Sequence, residues 1–181
     1  MEAGKRSIND IFNGNKILTT GGGGMLLFQD EILAKKAKHL STQAKIPHKW
    51  EIVHDETGYN YRMPNINAAL GLAQIEQLDG FLQSKRLLAG KYNDFFEQLN
   101  IPFINEPPNS RSNYWLNSIL FSGIKDKDEF LKYSNESGIL TRPAWQLMNK
   151  LAMFRKCQID GLKNAESLSA RLVNLPSSVI I

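Results

Sequence analysis

The chain has little that would take it out of the ordinary globular class. Among its 181 residues there is one cysteine, Cys157, which excludes an internal disulfide and a zinc site built from cysteines. No apolar run approaches the roughly 18–20 residues that cross a bilayer. The opening MEAGKRSINDIFNGNK has basic residues but no apolar stretch of the signal-peptide kind. Neither sign of charge dominates: 22 Lys and Arg against 18 Asp and Glu leave a formal charge of +4. The densest basic clusters are Lys35, Lys36 and Lys38, then Lys85 and Arg86, with no long basic block and no aromatic-interleaved basic motif. That argues against nucleic acid, and the mild basic excess suits a small anion such as a phosphate or nucleotide. No repeat or low-complexity tract occurs apart from Gly21–Gly24. The expectation is a cytoplasmic protein with neither membrane nor nucleic-acid partners.

What is present is a composition of 42% hydrophobic and 22% charged residues, enough for a packed core. Residues 17–28, ILTTGGGGMLLF, read as two short strands around a glycine turn. Asp30 is a fitting cap for a helix over 31–40. Residues 41–64 read as one long loop, and a loop of that length is usually functional or disordered. Helices are predicted over 65–78, with Asn65 as cap, and over 79–99, where Gly80 and Gly90 weaken the case for an unbroken rod. Beyond them, strands are expected over Asn113–Phe121 and Ile139–Trp145. A helix over Asp126–Ser137 is expected between them, capped by Asp126 and closed by Gly138. A helical piece at 146–156 and a helix at 164–173 finish the chain. Strand and helix in alternation predict an α/β or α+β fold. A division is expected between residues 1–78 and 79–181, the second beginning with a long bridging helix.

Few residues invite chemistry. Lys16, in FNGNKILTTGGGG, precedes side-chain-free backbone that a flat ring or phosphate can approach. An enclosed lysine can attack a carbonyl as a neutral amine. The plain alternative is a solvated lysine, and spacing alone favours it. The glycines match neither the phosphate loop, which needs a following Lys-Ser/Thr, nor the dinucleotide fingerprint, which needs a helix directly after. His54, Asp55 and Glu56 alternate in direction along an extended chain, and His39 and His48 are not four apart, so no metal site is expected. Cys157, beside Arg155 and Lys156, reads as an incidental thiol. GYNYRMPN, residues 58–65, offers an arginine, an amide and tyrosine hydroxyls that can clamp a phosphate, or else a loop packed by its aromatics.

Taken together, FNGNKILTTGGGGMLLF, the run from AKHLSTQ through GYNYRMPNINAALGLAQIEQLDGFL, ILTRPAWQLMNKLAMF and NLPSS resemble the DegT/DnrJ/StrS family of nucleotide-sugar aminotransferases. The resemblance covers Phe12 to Ser178 and is strongest to the branch acting on UDP-linked 4-keto-6-deoxy-N-acetylhexosamines. It implies a fold-type I, aspartate-aminotransferase-like α/β fold, pyridoxal 5'-phosphate (PLP) as cofactor, and a dimer with shared active sites. It implies that Lys16 is the Schiff-base lysine and proton carrier. Asn60 would reach the cofactor phosphate of the neighbouring subunit, with Tyr61 and Arg62 beside that site, in contact with substrate. Glutamate would donate the amino group and a nucleotide-linked 4-keto sugar would accept it, for surface polysaccharide or glycan synthesis.

This sequence departs from the family in three respects. Family members are about twice as long, and the half that precedes the lysine supplies the carboxylate on the pyridine nitrogen and the ring stacked on PLP. Residues 1–78 would then be the remnant of the large PLP-binding domain, and 79–181 the bridging helix and small α/β domain. The serine of S-F-x-x-x-K is Ile11 here, and Asn149 and Ala152 stand where histidine and proline are expected. The competing reading is a non-catalytic remnant, serving as a homodimerisation module or complementing a separate N-terminal chain.

Overall fold

The computed structural model describes residues 7–179, with Ser7–Ile11 described by their backbone alone. The first six residues of the opening MEAGKRSINDIFNGNK and the Ile11 side chain lie outside the described residues. The chain forms two compact units, 1–78 and 79–181. Among the described residues the pairings are antiparallel, in sheets of two, two and three strands.

In the first unit, β1 (Ser7–Ile11) pairs with β2 (Gly24–Phe28), Ser7 opposite Phe28 and Ile11 opposite Gly24. The two expected strands over 17–28 are therefore one, and its mate precedes Lys16. Side chains explain why residues 17–20 stay out of the ladder. The Thr19 hydroxyl donates to Phe12 O at 3.3 Å, and the Thr20 hydroxyl to Gly22 O at 2.6 Å. Such local bonds compete with strand pairing. α1 (Glu31–Ser41) starts where expected, with Asp30 Oδ1 accepting from the amides of Ile32 at 2.8 Å and Leu33 at 3.3 Å. The long loop contains a small hairpin, β3 (Lys45–Ile46) with β4 (Val53–His54). α2 (Asn65–Ile75) is capped from Pro64 without a side-chain bond, so Asn65 is its first residue rather than its cap. Neither α1 nor α2 buries a residue, and Ala44 is the buried apolar residue of this unit among those described.

The core lies in the second unit. α3 (Leu78–Gln98) runs unbroken through Gly80 and Gly90 and buries Lys85, Ala89 and Phe96. β5 (Asn117–Leu120), α4 (Ile124–Glu136), β6 (Arg142–Pro143), α5 (Lys163–Ser169) and β7 (Leu172–Leu175) follow, the sheet having the order β5-β7-β6. Period-two alternation puts Asn117 and Ile119 on the buried face opposite Leu175 and Val173, while Ser118 bonds Asn174 on the other. Ile119 and Val173 are fully enclosed, each worth roughly 1.5–3 kcal/mol of burial. They pack with Ala89, Phe96, Phe103, Tyr114 and Phe121. Several expectations are corrected here. The strand over 113–121 shrinks to four residues, that over 139–145 to two, and the helix at 146–156 to turns at Met148–Lys150 and Ala152–Phe154. α4 starts two residues before Asp126, from a Gly123 cap without a side-chain bond, and Asp126 instead accepts the Ser122 hydroxyl at 2.7 Å. β7 replaces the end of the helix expected over 164–173.

Two polar ties brace this unit. The Lys85 amine, 4% exposed, donates to Ser177 O at 2.5 Å and Trp115 O at 3.3 Å, and burial pushes it below the usual lysine range. Arg86 forks onto Glu106 at 2.6 and 3.0 Å, and the Ser112 amide donates to the same carboxylate at 2.7 Å. The Arg86 bond, and then the Ser112 amide, hold the Glu106 carboxyl down at about 2 against an ordinary 4.5. Between those pH values the unfolded chain takes up a proton that the folded carboxylate refuses. The stabilisation is therefore complete above pH 4.5 and lost as the pH falls to about 2. Glu106→Gln is expected to flatten the fall of Tm across that window, and coincident slopes in the two proteins would contradict the pair's role.

Candidate functional site

Lys16 lies in the loop joining β1 to β2. The Phe12 amide donates to Gly23 O at 3.1 Å and the Thr20 amide to Phe12 O at 3.2 Å, closing the neck of the loop. Within it the chain turns, the Lys16 amide donating to Asn13 O at 3.0 Å, and the Lys16 side chain is half-buried. The neck rests on α2. The Asn67 amide group donates to Thr20 O, and a Cβ on Gly71 would stand 2.8 Å from Thr20 Cγ2. Gly23 adopts φ +114°, a region side chains rarely enter.

Asn60, Tyr61 and Arg62 lie on an extended segment held to the end of α1. The Tyr59 amide donates to Leu40 O at 2.7 Å, the Tyr61 amide to Ser41 O at 2.9 Å, and Asn60 stands opposite Thr42 in an isolated bridge. Tyr59 and Tyr61 stack at 5.3 Å. An open cavity of about 890 Å³ is lined by Gly22–Gly24, Ala34, Ala37, Lys38, Ser41, Tyr61, Arg62 and Asn67, among others. The structure thus brings Tyr61 and Arg62 together with the glycine tract, while Lys16 and Asn60 are not among the residues lining this cavity.

Among the described residues, neither Lys38 nor Arg62 has a carboxylate partner in an ion pair. Two such cations, an exposed tyrosine hydroxyl and backbone without side chains suit an anionic phosphate attached to a flat group. Lys38 was missed in the sequence, though Ala34, Ala37, Lys38 and Ser41 share one helix face at i, i+3, i+4 and i+7.

Three other features bear on the expected sites. Asp55 and Glu56 do converge, contrary to expectation, with His39 rather than His54, their donor atoms lying within 4.8 Å of one another. The chain folds back after β4, and Lys36 already sits on Glu56. His54 instead contacts Gln43 O at 2.6 Å. Asn149 encloses an Oδ1 with no hydrogen-bond partner. Cys157 is an exposed free thiol. No helix among the described residues is long and apolar enough to cross a membrane.

Comparison with known proteins places the chain. The profile of the DegT/DnrJ/EryC1/StrS aminotransferase family matches residues 10–181. GDP-perosamine synthase of Escherichia coli O157:H7 is 37% identical over 167 residues, covering 92% of this chain and 45% of that protein. UDP-4-amino-4,6-dideoxy-N-acetyl-beta-L-altrosamine transaminase of Campylobacter jejuni is 31% identical over 100 residues, covering 54% of this chain and 27% of that protein. Among solved structures, the aminotransferase TlmJ from Streptoalloteichus hindustanus superposes with a TM-score of 0.88 at 21% identity, covering 97% of this chain and 47% of that one. The chain spans about half the length of the curated relatives it matches. It belongs to the DegT/DnrJ/EryC1/StrS aminotransferase family, whose fold is the fold-type I α/β fold and whose cofactor is PLP.

Proposed function

We propose that this chain supplies the lysine-bearing part of a PLP-dependent transaminase. The enzyme moves the amino group of glutamate to a nucleotide-linked 4-keto-6-deoxy sugar destined for a surface polysaccharide or glycan. The observation that carries the reading is the cavity lined by Lys38, Arg62 and the bare backbone of Gly22–Gly24, the two cations having no carboxylate partner among the described residues. Lys16 would hold the cofactor through its amine, and its Nζ would carry the proton taken from the amino-bearing carbon of the donor. Asn60 would reach the cofactor phosphate of the neighbouring subunit, and Tyr61 and Arg62, beside that site, would meet the substrate. When bound, PLP supplies the electron sink for the pair left behind by that proton.

In this reading the site also draws on a second polypeptide, a copy of this chain or a separate N-terminal half. Support comes from α2, whose Ile66, Leu70, Leu72 and Ile75 are all exposed, from 43% to 80%. These residues are spread around the helix, and a helix apolar around its circumference calls for cover. The test is to co-express the chain with the N-terminal half of a relative and supply PLP, glutamate and a nucleotide-linked 4-keto-6-deoxy sugar. Glutamate-dependent amination of the sugar, with release of 2-oxoglutarate, is expected. A well-folded but inactive complex would favour a non-catalytic module instead.

A further inference from the structure

The segment 42–62 has almost no apolar packing of its own. Ile46, Trp50, Ile52 and Val53 are exposed, Trp50 by 78%, and Ala44 is its buried apolar residue. Polar contacts must therefore decide where this segment lies. On α1, Lys36 and His39 are three residues apart and share a face. Across from them stand Asp55 and Glu56. His39 Nε2 is 2.6 Å from Asp55 Oδ1 and 3.6 Å from Glu56 Oε1, and the Lys36 amine bonds Glu56. Of the neighbouring charged groups, Lys35 pairs with Glu31 on α1, and His54 turns to Gln43 O. None of these four residues lines the cavity that holds Arg62. The contacts therefore lie outside the lining of that cavity.

We infer that Lys36–Glu56 and His39–Asp55 form a latch that positions Asn60, Tyr61 and Arg62 for the cofactor phosphate. The inference rests on the reading above, in which that segment meets the phosphate. His39 and Asp55 are positioning residues. They act through the backbone, because the latch lies three to six residues ahead of the amides of Tyr59 and Tyr61 that bond Leu40 O and Ser41 O. The His39 bond holds the Asp55 carboxyl below its usual range, so the acceptor stays ionised.

The test compares PLP with pyridoxal, which has no phosphate, on the full chain and on Asp55→Ala, Asp55→Asn and His39→Ala. Amide exchange is followed at Tyr59 and Tyr61, with Ala34 inside α1 as control. Loss of one charge-assisted contact is expected to weaken PLP roughly tenfold in Asp55→Ala while leaving pyridoxal within about twofold. Asp55→Asn, which can still accept from the imidazole, should recover most of that loss. Exchange at Tyr59 and Tyr61 should quicken with Ala34 unchanged. Equal weakening of PLP and pyridoxal, or no change in either, would overturn the latch. Should the parent chain bind neither compound, the functional reading falls. The latch is then decided by exchange alone, and unaltered Tyr59 and Tyr61 amides would overturn it.

Discussion

Gly58→Ala is expected to free the segment 57–62 from the end of α1, at a cost of about 3 kcal/mol. The added Cβ would lie 2.2 Å from Gln43 C, 2.4 Å from Ala44 N and 2.7 Å from Gln43 Cα. All three are backbone atoms, so no side-chain rotation relieves the overlap. The opposing pair cannot yield readily either. Gln43 and Ala44 sit at φ 70° and 50°, and Ala44 is fully buried. The chain must therefore lift at residue 58, which breaks the bond from the Gln43 amide to Tyr59 O at 3.0 Å and the ties of Tyr59 and Tyr61 to α1. Gly22 is the control, since a Cβ there meets nothing within 4 Å. Amide exchange should show protection lost at Tyr59 and Tyr61 in Gly58→Ala but kept in Gly22→Ala. The core amides of Ile119 and Val173 should be unaffected in both. Equal protection at Tyr59 in the two variants would contradict the close approach.

Lys16→Arg, in the complex with an N-terminal half, is expected to lower amino transfer by about 10³-fold or more. The substitution keeps the positive charge and most of the reach. It removes the chemistry, because a guanidinium neither gives up its proton near neutral pH nor attacks a carbonyl. The variant thereby separates a lysine that serves as a counter-ion from one that holds the cofactor and moves a proton. The Lys16 amide bond to Asn13 O is a backbone bond and survives the change, so the loop fold should persist. Steady-state release of 2-oxoglutarate measures the loss, and activity within tenfold of the parent would contradict the role given to Lys16.

Local signals carried much of the fold. Asp30 marked the start of α1, and the 3.6-residue periodicity marked α3, whose two glycines did not break it because Ala89 and Phe96 are anchored in the core. The misses arose where distant partners or local side-chain bonds prevail. NYWLNSILF has the composition of a long strand. Yet the Tyr114 amide is taken by Ser112 Oγ and the Trp115 amide by Asn113 Oδ1, each at 3.0 Å, and Tyr114 turns to φ 43°. β7 lay hidden in a pattern that suited a helix, because its pairing with β5 joins residues more than fifty positions apart. The site divides in the same way. Lys16 and the GYNYRM segment were legible through their resemblance to a family, whereas spacing alone made Lys16 an ordinary surface lysine. The meeting of His39 with Asp55 spans sixteen residues and an intervening hairpin, beyond the reach of any local motif.

The most direct measurement is to incubate the chain with PLP, fix the bound cofactor with borohydride and map it by peptide mass spectrometry. The account predicts a label concentrated on Lys16 that vanishes in Lys16→Ala. A label spread over the surface lysines, with Lys16 modified no more than Lys45 or Lys132, would contradict it.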